Sequence, residues 1–87
     1  MTTKELKQYI RNGKYAWPGG YPLYFIAYDG SPLSFETVKE NYKEVLYATK
    51  YFGDFSGWSV ERCEVNWENS ELRCSHSNEL IECAYGE

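Results

Sequence analysis

The longest apolar run of the chain is Leu23-Tyr24-Phe25-Ile26-Ala27-Tyr28, and Asp29-Gly30 follows it directly. A run of this length, closed by an Asp-Gly pair, is typical of a buried strand that ends in a turn. It is far shorter than the roughly 18 apolar residues of a membrane-spanning helix. The stretch therefore predicts a buried strand over 23–28 and no membrane span.

A long helix is predicted directly after this strand. Ser34 is a favourable N-cap residue, and Glu36 lies in the first turn, where a negative charge stabilises the helix dipole. Apolar or semi-apolar residues then recur at helical spacing over nearly five turns: Phe35, Val38, Tyr42, Val45, Leu46, Thr49 and Phe52. The pattern predicts one continuous helix over 35–52, ended by Gly53.

The N-terminus predicts a shorter helix over 3–12. Thr2 and Glu5 have the spacing of a capping box. Leu6, Tyr9 and Ile10 would share one helix face, and Asn12-Gly13 supplies the stop. Residues 13–22, with two prolines and a Gly-Gly pair, predict an irregular loop.

The segment 58–67 predicts a second strand whose apolar residues change parity. Side chains of a regular strand alternate between its faces, so one regular strand cannot bury both sets on one face: Trp58 and Val60, then Cys63, Val65 and Trp67. A bulge near Glu61-Arg62 would reconcile them; partial cover of both faces is the alternative. A short third strand is predicted around 72–74, and residues 80–85 predict a final short strand or an ordered tail.

These elements predict an α+β fold: a single two-layer domain over residues 1–87, in the order α-β-α-β-β. A short antiparallel sheet of three to four strands would pack against one long and one short helix. The predicted core contains six residues: Phe25, Phe35, Tyr42, Leu46, Trp58 and Val60.

The aromatic content, 18% of 87 residues, exceeds what one small core can bury. Several rings are therefore expected to be at least partly exposed: Tyr15, Trp17, Tyr21, Tyr47, Tyr51 and Tyr85. Tyr and Trp are enriched in binding hot spots because they bury a large area with few rotatable bonds. This surplus favours a binding role over an enzymatic one; base stacking is a competing use of exposed rings.

The net charge of −4 is concentrated in the C-terminal part of the chain. Residues 1–56 carry seven Lys/Arg and six Asp/Glu, whereas residues 57–87 carry two Arg and seven Glu. We expect this acidic region to steer the protein toward a basic partner, although solubilising charge alone would look the same. The acidic balance argues against direct binding of nucleic acid. The candidate partner-binding residues are Glu61, Glu64, Glu68, Glu71, Tyr15, Trp17, Tyr21 and Trp67.

A zinc site could be built only from Cys63, Cys74, His76 and Cys83. Thiolates and imidazole are zinc ligands, but structural zinc sites use pairs two to four residues apart, and Cys74-x-His76 alone is close. Buried thiols and a surface histidine are the simpler interpretation, so no cofactor is expected. A Cys–His catalytic pair or paired glutamates lack any supporting motif. Without a signal peptide and with an odd number of cysteines, the chain is expected in the cytoplasm.

Two further stretches carry a resemblance: Tyr15–Phe25 with its continuation to Phe35, and Val65-Asn66-Trp67-Glu68 with the Ala84-Tyr85 ending. They resemble a small family of phage and plasmid proteins for which no activity is established, so no catalytic residue carries over. Some relatives have a fuller Cys/His cluster near 74–78, where this chain has Ser77 and Asn78. The resemblance implies a mobile-element origin, and small acidic phage proteins include anti-CRISPR and other anti-defence inhibitors.

The sequence predicts a non-enzymatic binding protein, and the resemblance implies that it binds and inhibits a host protein complex in the host cytoplasm. It would use an acidic, aromatic-rich surface. The alternative is a small zinc- or nucleic-acid-binding accessory protein.

Overall fold

A computed structural model describes residues 1–17, 19–51 and 57–85 of the chain. It contains α1 (Thr3–Asn12), β1 (Tyr15–Ala16), β2 (Tyr21–Ala27), β3 (Pro32–Ser34), α2 (Phe35–Glu40), α3 (Tyr42–Lys50) and β4 (Val60–Val65). The predicted α+β class with an antiparallel sheet of up to four strands is confirmed. The order differs from the predicted one because two short strands were not foreseen and the long helix is divided.

β2 is the central strand of the sheet. β4 pairs along one of its edges, whereas β1 and β3 share the other edge at opposite ends of β2. All three pairings are antiparallel. The predicted bulge is confirmed at Glu61, because Ile26 pairs with Arg62 while the next residue, Ala27, pairs with Val60.

α1 begins as its sequence predicts. The Thr2 hydroxyl accepts a hydrogen bond from the Glu5 amide at 3.1 Å, and the Glu5 carboxylate accepts one from the Thr2 amide at 3.0 Å. The helix ends at Gly13, whose φ of +92° favours glycine. The helix-capping residues of α1 are therefore readable from the sequence alone.

The prediction of one continuous helix over 35–52 is wrong within the described residues. Ser34 caps α2 as expected, accepting from the Thr37 amide at 3.1 Å. Asn41 then leaves helical geometry, with φ −110° and ψ +33°, and its side-chain amide donates to the Thr37 carbonyl at 2.9 Å. This side chain competes with the backbone for a carbonyl of the preceding turn and separates α2 from α3. The predicted helix end at Phe52-Gly53 lies outside the described residues.

The core lies between the helices and the face of β2 that carries Phe25. Phe25 stacks on Phe35 at 5.9 Å between ring centroids, and the Tyr9 ring of α1 meets Phe25 edge-on at 6.1 Å. The prediction that Phe25, Phe35 and Val60 are buried is confirmed, whereas three other predicted core residues are only partly buried against it: Tyr42, Leu46 and Trp58.

The segment after β4 has little regular structure. The predicted third strand is reduced to one bridge between Arg73 and Leu80, and 80–85 is the ordered tail rather than a strand. Ile81 anchors this tail in the core, where its amide donates to the Leu72 carbonyl at 2.8 Å. None of the helices described is both long enough and apolar enough to span a membrane.

Candidate partner-binding site

Three aromatic residues from distant parts of the chain form one exposed cluster, here called the aromatic cluster: Tyr21, Trp67 and Tyr85. The Tyr21 and Trp67 ring centroids are 4.7 Å apart, and Tyr85 stacks on Trp67 at 6.0 Å with 16° between the ring planes. Trp67 is 48% exposed and Tyr85 is 64% exposed. The cluster therefore offers two stacked aromatic side chains to solvent on a folded support.

Asn66 holds this region together through its side chain. It is 3% exposed, and its amide nitrogen lies 2.9 Å from the Asn69 carbonyl and 3.3 Å from both the Ile81 and Glu82 carbonyls. Its carboxamide oxygen accepts from the Asn69 amide at 3.2 Å. One side chain thus joins the turn after β4 to the C-terminal tail.

The backbone completes the attachment of the tail. The Ala84 amide donates to the Asn66 carbonyl, and the Tyr85 amide donates to the Trp67 carbonyl, both at 2.8 Å. A hydrogen bond with the Tyr21 hydroxyl raises the pKa of Tyr85. Trp67 and Tyr85 are stacked because their backbones are paired. The sequence predicted that Tyr85 is exposed but not that it stacks on Trp67. It did not point to Asn66 either; a polar residue between two apolar residues at the end of a strand is the pattern that could have indicated its buried hydrogen bonds.

Glycines allow the β1–β2 loop to fold against these rings. A Cβ added to Gly19 would lie 2.5 Å from the Tyr21 ring, and one added to Gly20 would lie 3.3 Å from the Trp17 indole. Both glycines have positive φ, at +113° and +67°. Trp17 remains 75% exposed, as predicted. The loop presents Trp17 and supports Tyr21 at the same end of the sheet.

An open groove of about 620 Å³ runs beside the loop, between the end of α1 and the face of the sheet. Leu23 and Val65 are paired across β2 and β4 in its floor. Trp17 lines it too, together with Tyr9, Asn12, Gly13, Tyr15, Ala16, Cys63 and Glu64. Tyr21 and Trp67 each lie two residues from this floor pair, so the groove and the aromatic cluster follow one another along the sheet.

Tyr15 is part of a polar network rather than of the aromatic cluster. Its hydroxyl donates to the Glu82 carboxylate at 2.8 Å, and Lys14 Nζ lies 3.0 Å from Glu82 and 2.9 Å from Glu36. The Tyr15 hydrogen bond and then the Lys14 ammonium lower the pKa of Glu82. This network ties β1 to α2 and to the C-terminal tail.

The four candidate glutamates form two different groups. Arg62 lies between Glu61 and Glu64, with its Nε 3.3 Å from a Glu64 oxygen, so these two charges are partly compensated. Glu68 and Glu71 follow Trp67 in the chain, are exposed and take part in no ion pair among the described residues. Of the four candidate glutamates, the two without a cationic partner among the described residues are therefore the two that follow Trp67 in the chain.

The four candidate metal ligands are not brought together. Among the described residues no three His, Cys, Asp or Glu side chains could hold one ion. Cys74 is 1% exposed and donates to the Thr37 hydroxyl at 3.4 Å, whereas the exposed His76 ring lies on Trp58 at 4.7 Å. Cys63 and Cys83 are half-buried. The geometry gives no support to a zinc centre built from these residues.

The pKa values of Cys63 and Cys74 are shifted in opposite directions. Burial raises the pKa of Cys63 to about 12, with Glu64 adding to the effect. Burial also acts to raise the pKa of Cys74, but hydrogen bonds from the Ser77 and Ser34 backbone outweigh it and lower that pKa to about 6. Cys74 thus lies in a polar niche between β3, α2 and the turn that follows it.

Comparison with known proteins finds no matching family model, no matching curated protein and no matching solved structure. The resemblance to phage and plasmid proteins therefore stays a prediction from the sequence.

Proposed function

We propose that this chain is a non-enzymatic binding protein that docks onto a partner protein through the aromatic cluster. The observation that carries the proposal is the stacking of half-exposed Trp67 and Tyr85 on a fixed backbone. Exposed Trp and Tyr rings that are already ordered lose little conformational entropy on binding, and such residues dominate interface energetics. The cluster is therefore suited to be the central contact of an interface.

The charge around the cluster supports a partner with a basic surface. Glu68 and Glu71 follow Trp67 in the chain and are not compensated by cations among the described residues. Negative charge at the edge of an interface speeds association with a positively charged surface and contributes less to the dissociation rate. In this proposal Trp67 and Tyr85 make the central contact, and the two glutamates speed the encounter with the partner.

The sequence resemblance suggests the class of partner. Small phage and plasmid proteins act on complexes of the host cell, so we propose that the chain inhibits a host defence complex in the cytoplasm. It would act by covering a basic surface that the complex uses for nucleic acid. Inhibition by occupying a surface requires no catalytic residue in the inhibitor.

The contact role is tested by affinity capture from a bacterial lysate with two matched variants. Trp67→Ala removes the central ring, whereas Tyr47→Ala removes a ring that is 62% exposed on α3. We expect a protein complex that the wild type and Tyr47→Ala both retain and that Trp67→Ala loses, with an affinity at least tenfold lower in direct titration of the purified complex. Equal retention by both variants would contradict the proposal.

The steering role is tested on the complex so identified. Glu68→Lys with Glu71→Lys reverses the charge beside the cluster, and Glu40→Lys with Glu44→Lys makes the same change of net charge on two exposed residues of α2 and α3. We expect only the first pair to slow association, by about tenfold at low salt, and to flatten its salt dependence. If both pairs slow association equally, the net charge of the chain and not the position of the two glutamates determines the association rate.

Retention of single-stranded DNA instead of protein would favour the nucleic-acid alternative.

A further inference from the structure

A second concave site lies at the other end of β2, beside the turn that leads to β3. It is a pocket of about 250 Å³ whose described lining includes Asp29, Leu33, Trp58 and His76. Pockets for drug-sized ligands measure roughly 300–1,000 Å³, so this pocket suits a single side chain rather than a larger molecule. β2 has seven residues, which places the pocket about 20 Å from the aromatic cluster.

The pocket combines one carboxylate with two aromatic rings. Asp29 is the one residue of its described lining that is formally charged at neutral pH. The Ser31 amide donates to the Asp29 carboxylate at 2.9 Å, and this hydrogen bond lowers the pKa of Asp29. The turn therefore holds an ionised carboxylate in place, and a carboxylate with about four acceptor positions keeps capacity for further donors.

The rings supply the wall of the pocket. Trp58 and His76 lie 4.7 Å apart between centroids and are tilted by 55°, and the buried side chain of Leu33 adds an apolar contact. Ser31 and Ser75 also belong to the described lining. The pocket thus offers acceptors and aromatic surface, without a Lys or Arg side chain in its described lining.

We propose that this pocket binds a guanidinium group, and that its ligand is an arginine side chain of another protein. Guanidinium is planar, stacks on indole and imidazole rings, and donates paired hydrogen bonds to a carboxylate. An ammonium group is more strongly hydrated and has no plane to stack, so arginine fits these walls better than lysine does. The site goes beyond the proposed function, because it shares no residue with the aromatic cluster.

The test uses the full chain and a small probe, N-acetyl-arginine methylamide, followed by NMR. We expect saturable shifts of the Trp58 indole N–H and of the His76 ring, with an affinity near the millimolar range because one side chain is bound. N-acetyl-citrulline methylamide has nearly the same shape without the charge, and we expect it to cause no saturable shift. The lysine analogue is expected to bind at least threefold more weakly.

Two variants test whether the negative charge of Asp29 binds the arginine probe. Asp29→Asn keeps an oxygen for the Ser31 amide and removes only the charge, so the turn is preserved, and we expect about tenfold weaker binding of the arginine probe. Glu44→Gln removes the same charge from an exposed residue of α3 that is not in the described lining of the pocket, and it is expected to leave the affinity unchanged.

Three outcomes would overturn the proposal. The first is equal binding of citrulline and arginine, since the pocket would then ignore charge. The second is an unchanged affinity in Asp29→Asn. The third is a set of shifts confined to Tyr21, Trp67 and Tyr85, which would assign the cation to the aromatic cluster instead.

Discussion

The two ends of β2 are built in opposite ways. At the β3 end local hydrogen bonds close the turn: the Gly30 amide donates to the Ala27 carbonyl, the Ala27 amide to the Ser31 carbonyl and the Ser31 amide to the Asp29 carboxylate, all at 2.9 Å. At the other end, Asn66 binds backbone 15 and 16 residues away, and the rings of Tyr21 and Tyr85 meet at 6.3 Å. The turn at the β3 end is therefore closed within five neighbouring residues, whereas the aromatic cluster at the other end forms only when distant parts of the chain are folded together.

This difference predicts that substitutions at the two ends lower the free energy of unfolding by different amounts. The largest decrease is expected for a substitution of Asn66. Asn66→Ala leaves the carbonyls of Asn69, Ile81 and Glu82 without their shared donor, and unsatisfied buried polar groups are costly. We expect the free energy of unfolding to fall by about 2–4 kcal/mol in urea titration. The Tyr85 ring should also lose its ring-current shift from Trp67.

Asn69→Ala is the matched control for that change. It removes one exposed hydrogen bond, from the Glu71 amide to the Asn69 side chain, so we expect a loss of about 0.5–1 kcal/mol. If the two variants lost the same stability, Asn66 would not be the residue that joins the turn to the tail.

A pair of glycine substitutions compares the two ends directly. Gly19 and Gly30 both have positive φ, but a Cβ at Gly19 would meet the Tyr21 ring at 2.5 Å, whereas a Cβ at Gly30 would meet nothing within 4 Å. Gly30→Ala is expected to cost about 1 kcal/mol from backbone strain alone. Gly19→Ala should lower the free energy of unfolding, measured by thermal unfolding, by about 1–2 kcal/mol more than Gly30→Ala does. It should also displace the Tyr21 ring from Trp67. Equal costs would mean that the Tyr21 ring moves freely.

The smallest decrease in the free energy of unfolding is expected for a substitution of Glu82. Glu82→Gln keeps an acceptor for the Tyr15 hydroxyl and removes the exposed ion pair with Lys14, so the loss at neutral pH should stay under about 1 kcal/mol and shrink with added salt. The folded state lowers the pKa of Glu82 from 4.5, so its charge stabilises the protein above that value. The difference between wild type and variant should therefore vanish as the pH falls through the folded pKa. Glu79→Gln serves as the control, because Glu79 takes part in no ion pair among the described residues.

Prediction from the sequence succeeded where the cause was local. The capping box at Thr2, the Ser34 cap and the bulge at Glu61 are each decided within a few residues, and all three are confirmed. The break at Asn41 was missed because apolar spacing continues through it, and only the hydrogen bond to Thr37 reveals it. β1 and β3 were missed because strands of two and three residues have no readable periodicity.

The candidate site shows the same division. Composition predicted surplus exposed rings, and Trp17, Tyr21 and Trp67 were singled out, but the sequence could not say that Trp67 stacks on Tyr85 or that Tyr15 joins a polar network with Glu82. It placed four glutamates in one group, whereas Arg62 lies between two of them. Such partners are set by chain segments that meet only after folding.

The sequence by itself determined the fold class, the starts of α1 and α2, the presence of a buried strand at 23–28 and the excess of aromatic residues and acidic charge. These follow from residue type and short-range spacing, which act before any tertiary contact forms. Tertiary structure alone decided the aromatic cluster and the pocket beside Asp29. Both need side chains from segments far apart in the chain, and their distances are fixed only by the packing of β2 against β4 and the C-terminal tail.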